Sequence, residues 1–432
     1  VQLPGWSVIP FILLLLCIAL LPLVARRLWH DDRIKMLVVL LLSLPVVAYL
    51  AYRQLTTGEL ALSPLVHEIR NYVSFIVMLG ALYTVAGGIL IRGDLKATPA
   101  TNAAILGIGA LLSNIIGTTG ASVLLIRPFL RINSARMNSS HLPVFFIFLV
   151  GNLGGCLTPL GDPPLFMGFL HGVPFTWTLR LWPEFLLVNG LVLVIFVAWD
   201  AVALGREPKI SPVSALIPLH VEGKMNLLYL AGIIAAVLIE SGWLSPELDR
   251  MRELFGGPLL MLSMACLSLR LTPAEVRTAN GFNWEPMTEV AILFAGIFVT
   301  MVPALQILEF RGRHLGLTEP WQFFWATGLV SAALDNAPTY LAFAASSAGS
   351  HDFSLLVTNR VPGLNGPPVL QAISCGAVFM GALTYIGNGP NFMVKAIAEQ
   401  AGYRMPSFFG YILIATVVLV PVYLFVTIIF FR

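Results

Sequence analysis

The chain has 432 residues, 57% of them hydrophobic and 11% charged, with a mean hydropathy of +0.85. Soluble domains carry about 25% charged residues, so this composition excludes a large aqueous domain and describes a polytopic membrane protein. The net charge of +3 says little about partners, and no basic cluster with interleaved aromatics supports nucleic-acid binding.

Read from the N-terminus, apolar runs fit for spanning helices lie at about 8–25, 35–53, 68–91, 142–171, 181–204, 225–241, 254–270, 287–309, 368–401 and 407–430. The first is followed by Arg26 and Arg27 rather than preceded by charge, which reads as a retained span with its N-terminus outside. Two further runs, about 100–126 and 321–349, are interrupted by small polar residues. The first carries Ser113, Asn114, Thr118 and Thr119; the second carries Asp335, Asn336 and Thr339.

Charge decides whether these interrupted runs cross the bilayer. Arg26, Arg27, Arg33 and Lys35 make the first loop cytoplasmic, and Arg92 and Lys96 return to that side. Arg127, Arg131 and Arg136 stay inside only if 100–126 doubles back as a re-entrant hairpin. Applied to the second half, the same rule puts 321–349 in a hairpin from the opposite side. Both termini are then outside. The expected fold is all-α: two inverted repeats of five spans, each with a hairpin and a broken span. The first repeat is 1–204, with its hairpin at about 100–126 and broken span at 142–171. A cytoplasmic linker rich in Pro and charge covers 205–224. The second repeat is 225–432, with its hairpin at about 321–349 and broken span at 368–401.

The broken spans carry the main signal. LTPLGDPPLFM (Leu157 to Met167) recurs as LTYIGNGPNFM (Leu383 to Met393). Adjacent prolines remove backbone donors and clash with the preceding turn. A break at membrane depth is tolerated only where protein buries it or it lines a cavity. A carboxylate there is costly and marks function. The first break offers Thr158, Gly161 and Asp162; the second offers Thr384, Gly387, Asn388 and Asn391. With the hairpin tips they form two oxygen-rich clusters, suited to a hard cation such as Na⁺ at the Asp162 and Asp335 clusters. Paired breaks in inverted repeats are a transporter signature, with binding near the midplane. A carboxylate that takes either Na⁺ or H⁺ supports exchange of the two by competition.

Other residues read more plainly. Lys395 is either a snorkelling anchor or a counter-charge that replaces the cation in part of the cycle. Glu240, Glu289 and Glu309 lie near span ends and read as solvated; His171 ends the broken span and reads as interfacial. Cys17, Cys156, Cys266 and Cys375 lie in apolar runs without a CxxC, as small buried residues. No phosphate loop and no spacing for a hydrolytic triad is present, so no enzyme and no cofactor beyond Na⁺ and H⁺ is expected.

TPLGD at 158–162 and DNAP at 335–338 resemble the NhaD-type sodium/proton antiporters of the ion transporter superfamily. That superfamily includes citrate and divalent-anion/sodium symporters and the arsenite permease; Ser113-Asn114 is similar to the tips of the divalent-anion branch. The resemblance implies an inverted-repeat fold, a homodimer, an elevator motion, and Asp162, Asp335 and Asn336 as cation and proton ligands. One departure stands out: Gly117-Thr118 occupies the place of an Asp-Asn pair. The expected function is Na⁺ (or Li⁺)/H⁺ exchange by alternating access in a bacterial cytoplasmic membrane. The alternative is Na⁺-coupled symport of a small anion such as citrate, a dicarboxylate or an oxyanion. In that case Asn114, Thr119, Thr339 and Asn391 serve the anion and Lys395 its charge.

Overall fold

The computed structural model describes residues 3–29, 31–58, 60–93, 95–207, 220–240, 257–311 and 316–432. Helices account for nearly all of its regular structure. Leaving aside the four-residue helices Arg26–Trp29 and Ser354–Val357, they are in chain order α1 (Ile9–Val24), α2 (Asp32–Thr57), α3 (Ser63–Ala86), α4 (Pro99–Ile132), α5 (His141–Leu149), α6 (Pro163–Leu170) and α7 (Trp182–Gly205). The second half continues with α8 (Met225–Glu240), α9 (Gly257–Leu271), α10 (Ala274–Ala279), α11 (Glu285–Arg311), α12 (Pro320–Ala333), α13 (Asn336–Ala348), α14 (Gly366–Met380), α15 (Gly389–Gln400) and α16 (Phe408–Val426). Among the described residues, eight helices are long and apolar enough to cross a membrane. Large apolar side chains such as Leu41, Leu44, Val194, Leu413 and Val417 project outward from α2, α7 and α16. Lipid satisfies such faces at no cost in hydration. The protein is an integral, all-α, polytopic membrane protein.

One of those eight helices does not run straight. A 34-residue helix would be roughly 50 Å long, yet Asn102 and Asn133, near the two ends of α4, exchange hydrogen bonds of 2.9 and 2.8 Å. The reversal sits at Gly117, whose φ of 77° and ψ of 155° lie in territory reserved for glycine. The hairpin expected at 100–126 is therefore present and longer, closing at its base through Asn102 and Asn133. Asp200 of α7 accepts from Asn102 and pairs with Arg136 and His141, so the base is a buried polar lock. In the second half α12 and α13 pack together on either side of extended Leu334 and Asp335, the matching reversal.

Each broken span is built alike. In the first, α5 ends at Leu149 and a 3₁₀ turn, Leu153–Gly155, precedes the start of α6 at Pro163. In the second, α14 ends at Met380 and a 3₁₀ turn, Gly381–Leu383, precedes α15. The residues before the second half-helices, Asp162 and Asn388, are extended. Pro163, Pro164 and Pro390 then sit in first turns, where their missing N–H has no partner to lose. The prolines that end one half-helix thus start the next.

Packing sorts the helices into two groups. Helices α1, α2, α3, α8, α9 and α11 pack on one another, with α3 against α9 and α2 against α11 as equivalent pairs across the halves. The hairpins, broken spans, α7 and α16 form the other group, in which α4 packs on α15 and α13 on α6, again as an equivalent pair. The groups meet where α3 lies on α4 and α11 on α13. Of the expected linker, 208–219 lie outside the described residues; His220–Glu222 form a strand antiparallel to Leu90–Arg92, so the linker docks on the loop after α3.

Several sequence expectations shift at this level. Cys156 and Cys375 are buried, but Cys266 is exposed and Cys17 only half-buried, because they lie on outward helix faces. Glu289 is half-exposed and pairs with buried Lys35 at 3.2 Å rather than with solvent alone. The side chains of Glu240 and Glu309 lie outside the described residues.

Candidate functional site

Asp162 lies where both hairpin tips and both broken spans meet. It is 1% exposed. Its Oδ1 accepts from Thr118 Oγ1 at 2.9 Å, on the first hairpin, and from Asn388 Nδ2 at 3.0 Å, on the second broken span. Its Oδ2 accepts from Asn336 Nδ2 at 2.6 Å, on the second hairpin. Four elements from both halves therefore converge on one carboxylate. Three of these residues begin or adjoin a half-helix: Asp162 at α6, Asn336 at α13 and Asn388 at α15. A helix start carries partial positive charge, which favours a carboxylate there.

The framework around it is repeated in the two halves. Thr158 Oγ1 donates to Asn114 O at 2.5 Å, and Thr384 Oγ1 donates to Ala332 O at 2.6 Å; each threonine fastens its break to the hairpin of its own half. Ser113 Oγ donates to Val150 O at 2.8 Å, and Ser331 Oγ to Ala377 O at 2.7 Å. At Gly161 and Gly387 a Cβ would lie 2.2 and 2.6 Å from the carbonyl oxygens of Gly155 and Gly381, so only glycine lets these loops close. Asn114 Oδ1 also accepts from Leu157 N at 2.8 Å. These expected site residues thus shape the loops that hold Asp162.

Asn391 and Asn388 reach across the halves. Asn391 Nδ2 donates to the carbonyls of Gly381 and Thr384, while its Oδ1 accepts from Asn152 Nδ2 at 2.7 Å. Asn388 Nδ2 also lies 3.2 Å from Asn152 Oδ1. Asn152 is a site residue that sequence reasoning missed. Its signal was present, as a lone amide among the glycines after an apolar run, but nothing local says that it faces the other half.

Asp335 is half-exposed beside Asn336, and Thr339 Oγ1 turns back to the Asp335 carbonyl at 2.9 Å. The two clusters expected at separate breaks are joined by the Asn336–Asp162 hydrogen bond. Asn336 Oδ1 is buried without a hydrogen-bond partner, an oxygen whose desolvation a cation would offset. A small cavity of ≈ 10 Å³ adjoins, lined by Thr118, Thr119, Gly161, Asp162 and Phe75 among others; about one water fits such a volume.

Lys395 lies elsewhere. Its Nζ is 3.4 Å from Glu399 and 5.1 Å from the centre of the Tyr385 ring. Among the described residues no Lys, Arg or His pairs with Asp162. The arrangement is a buried carboxyl group held by one hydroxyl and two amide donors, all neutral, which calls for a proton or a cation to balance its charge when it is ionised.

Comparison with known proteins agrees with this architecture. Two relatives, each an uncharacterized transporter, come from Mycobacterium bovis and Mycobacterium tuberculosis; each is 25% identical over 312 residues, covering 68% of this chain and 67% of the relative. A family model described as "Putative citrate transport" matches residues 1–431. The fold, the paired breaks and a match over that length together make this chain a member of that citrate transport family, and hence a transporter.

Proposed function

We propose that the protein is a secondary transporter that couples movement of a citrate-class carboxylate anion to a cation, Na⁺ or H⁺, held at Asp162. The observation that carries this reading is the convergence of both hairpins and both breaks on that carboxylate. A bare carboxylate among neutral groups is costly in a low-dielectric site. Loading it with Na⁺ or H⁺ removes that cost at the point where the four elements meet. These elements then change their exposure by moving against the group built on α3 and α11, an elevator motion. Alternating access about a midplane site in inverted repeats fits this division. The anion class rests on the family; an anion near Asp162 is tolerable once the cation is bound. Asp335, at the start of α13, supplies a second carboxylate for a further cation.

Exchange of Na⁺ for H⁺ without an anion is the second reading. It is favoured by the small cavity beside Asp162, which fits an ion and not a tricarboxylate. One experiment separates the two. Purified protein in proteoliposomes is given an inward Na⁺ gradient or an inward pH gradient, with labelled citrate outside and a pH dye inside. Symport predicts citrate accumulation driven by one of these gradients. Na⁺-driven proton efflux that is indifferent to citrate, with no citrate accumulation, contradicts symport and establishes exchange.

A further inference from the structure

Away from Asp162, a second cluster joins the two helix groups at one end of their interface. Glu68, on the second turn of α3, is 2% exposed. His171 follows α6 directly and is 3% exposed. His351 lies in the turn after α13. One ligand atom of each of these three lies within 4.8 Å of the other two. The pair Glu68 Oε1 and His171 Nε2 stands at 3.3 Å, the edge length of a tetrahedron whose bonds to a metal are about 2.0–2.1 Å.

The surroundings hold these groups in a ligating posture. His171 Nδ1 is 2.8 Å from Met167 O. With the proton on Nδ1, donated to that carbonyl, the Nε2 lone pair faces Glu68 and is open to a metal, the orientation that metal-bound histidines usually have; with the proton on Nε2 the same contact is a hydrogen bond to Glu68, which a metal would replace. The His171 ring stacks on Phe353 with centroids 5.0 Å apart, and Phe353 N donates to His171 O at 2.8 Å. Asn71 Nδ2 donates to the other Glu68 oxygen at 3.3 Å. Gly172, at φ 92°, packs so closely on Asp352 that a Cβ would lie 2.6 Å from its Oδ1. Glu68 is therefore oriented from α3, and both histidines from segments that interlock.

We infer that Glu68, His171 and His351 bind a Zn²⁺-class transition-metal ion that clamps the α6–α13 pair to α3. Two imidazoles and one carboxylate suit Zn²⁺ and its neighbours rather than Na⁺, Mg²⁺ or Ca²⁺, which prefer oxygen alone. Three protein ligands leave a fourth position for water. The ion would bridge the two helix groups whose relative movement the transport reading requires, so its binding slows transport.

Metal binding is measured on purified full-length protein in detergent, stripped with a chelator and titrated with Zn²⁺ by calorimetry, with Co²⁺ as a spectroscopic stand-in. The expected result is one ion per chain and the absorption of four-coordinate Co²⁺. His171→Ala and the near-isosteric Glu68→Gln should each weaken binding at least tenfold, and His351→Ala measurably. Zn²⁺ should raise the melting temperature of the wild type and not that of Glu68→Gln, whose own chromatographic profile checks its fold. Absence of stoichiometric binding by the wild type overturns the inference. So does undiminished binding by Glu68→Gln and His171→Ala together. Because binding is read without transport, failure here is distinct from failure of the transport reading, and a slowing of wild-type uptake by Zn²⁺ tests the clamp itself.

Discussion

Thr118, Asn336 and Asn388 each give Asp162 one hydrogen bond, so the chemistry of the site can be taken apart one donor at a time. Hydrogen bonds to a charged group contribute about 1.5–3 kcal/mol each. Thr118→Val keeps the side-chain volume and removes its 2.9 Å bond. Because that bond stabilises the unloaded, ionised carboxylate, we expect its loss to strengthen apparent affinity for the coupling cation roughly tenfold, which a Na⁺ or pH titration of uptake would measure; unchanged cation dependence would exclude Thr118 from the site. Lys395 provides a contrast. Its pairing with Glu399 predicts that Lys395→Gln leaves cation dependence intact, and an altered dependence in the same titration would restore it as a counter-charge. The residue types at the breaks were legible in the sequence because Gly, Pro and Asp are local signals inside an apolar run. Asn152 and Glu68 were not, since their partners lie in other elements: Asn152 meets Asn388 and Asn391, and Glu68 meets His171.

At the scale of elements, the hairpins define what the breaks can reach. The distribution of Arg and Lys fits an α4 that doubles back, and the Asn102–Asn133 bonds show that its two ends meet. In a straight helix residues 102 and 133 would be roughly 45 Å apart. Gly117→Ala places a Cβ at φ 77° and 3.3 Å from Leu160 O. Such a backbone costs about 1–3 kcal/mol for a residue other than glycine. A lowered melting temperature and impaired transport are expected, and a wild-type thermal profile would contradict the turn. At the hairpin base, Asp200→Ala removes the partner that Arg136, His141 and Asn102 share and leaves buried Arg136 only the longer pair with Glu207, at 3.4 Å. Breaking a buried pair costs about 3–5 kcal/mol, so this variant should lose folded yield in a detergent stability assay far more than Asp162→Asn does. The sequence repeat revealed the two breaks, whereas the longer extent of the first hairpin depends on tertiary pairing that no periodicity announces.

Across the whole molecule, two helix groups share an interface along α3 and α11; Asp162 and its three hydrogen-bond donors lie in one of them, and Phe75 of α3 closes the adjoining cavity from the other. Cation loading at Asp162 therefore changes the charge of the group that carries the hairpins and leaves the other group unchanged. A carrier of this kind couples cargo to its cation only if the unloaded carboxylate resists the crossing. Asp162→Asn removes that resistance while retaining the shape of the side chain. The decisive measurement is concentrative uptake of labelled citrate into proteoliposomes under an imposed Na⁺ or pH gradient, for wild type and Asp162→Asn at matched reconstitution. Accumulation above equilibrium by the wild type, with only gradient-independent equilibration or no uptake by Asp162→Asn, is the predicted result. Gradient-driven accumulation by Asp162→Asn equal to that of the wild type would contradict the account.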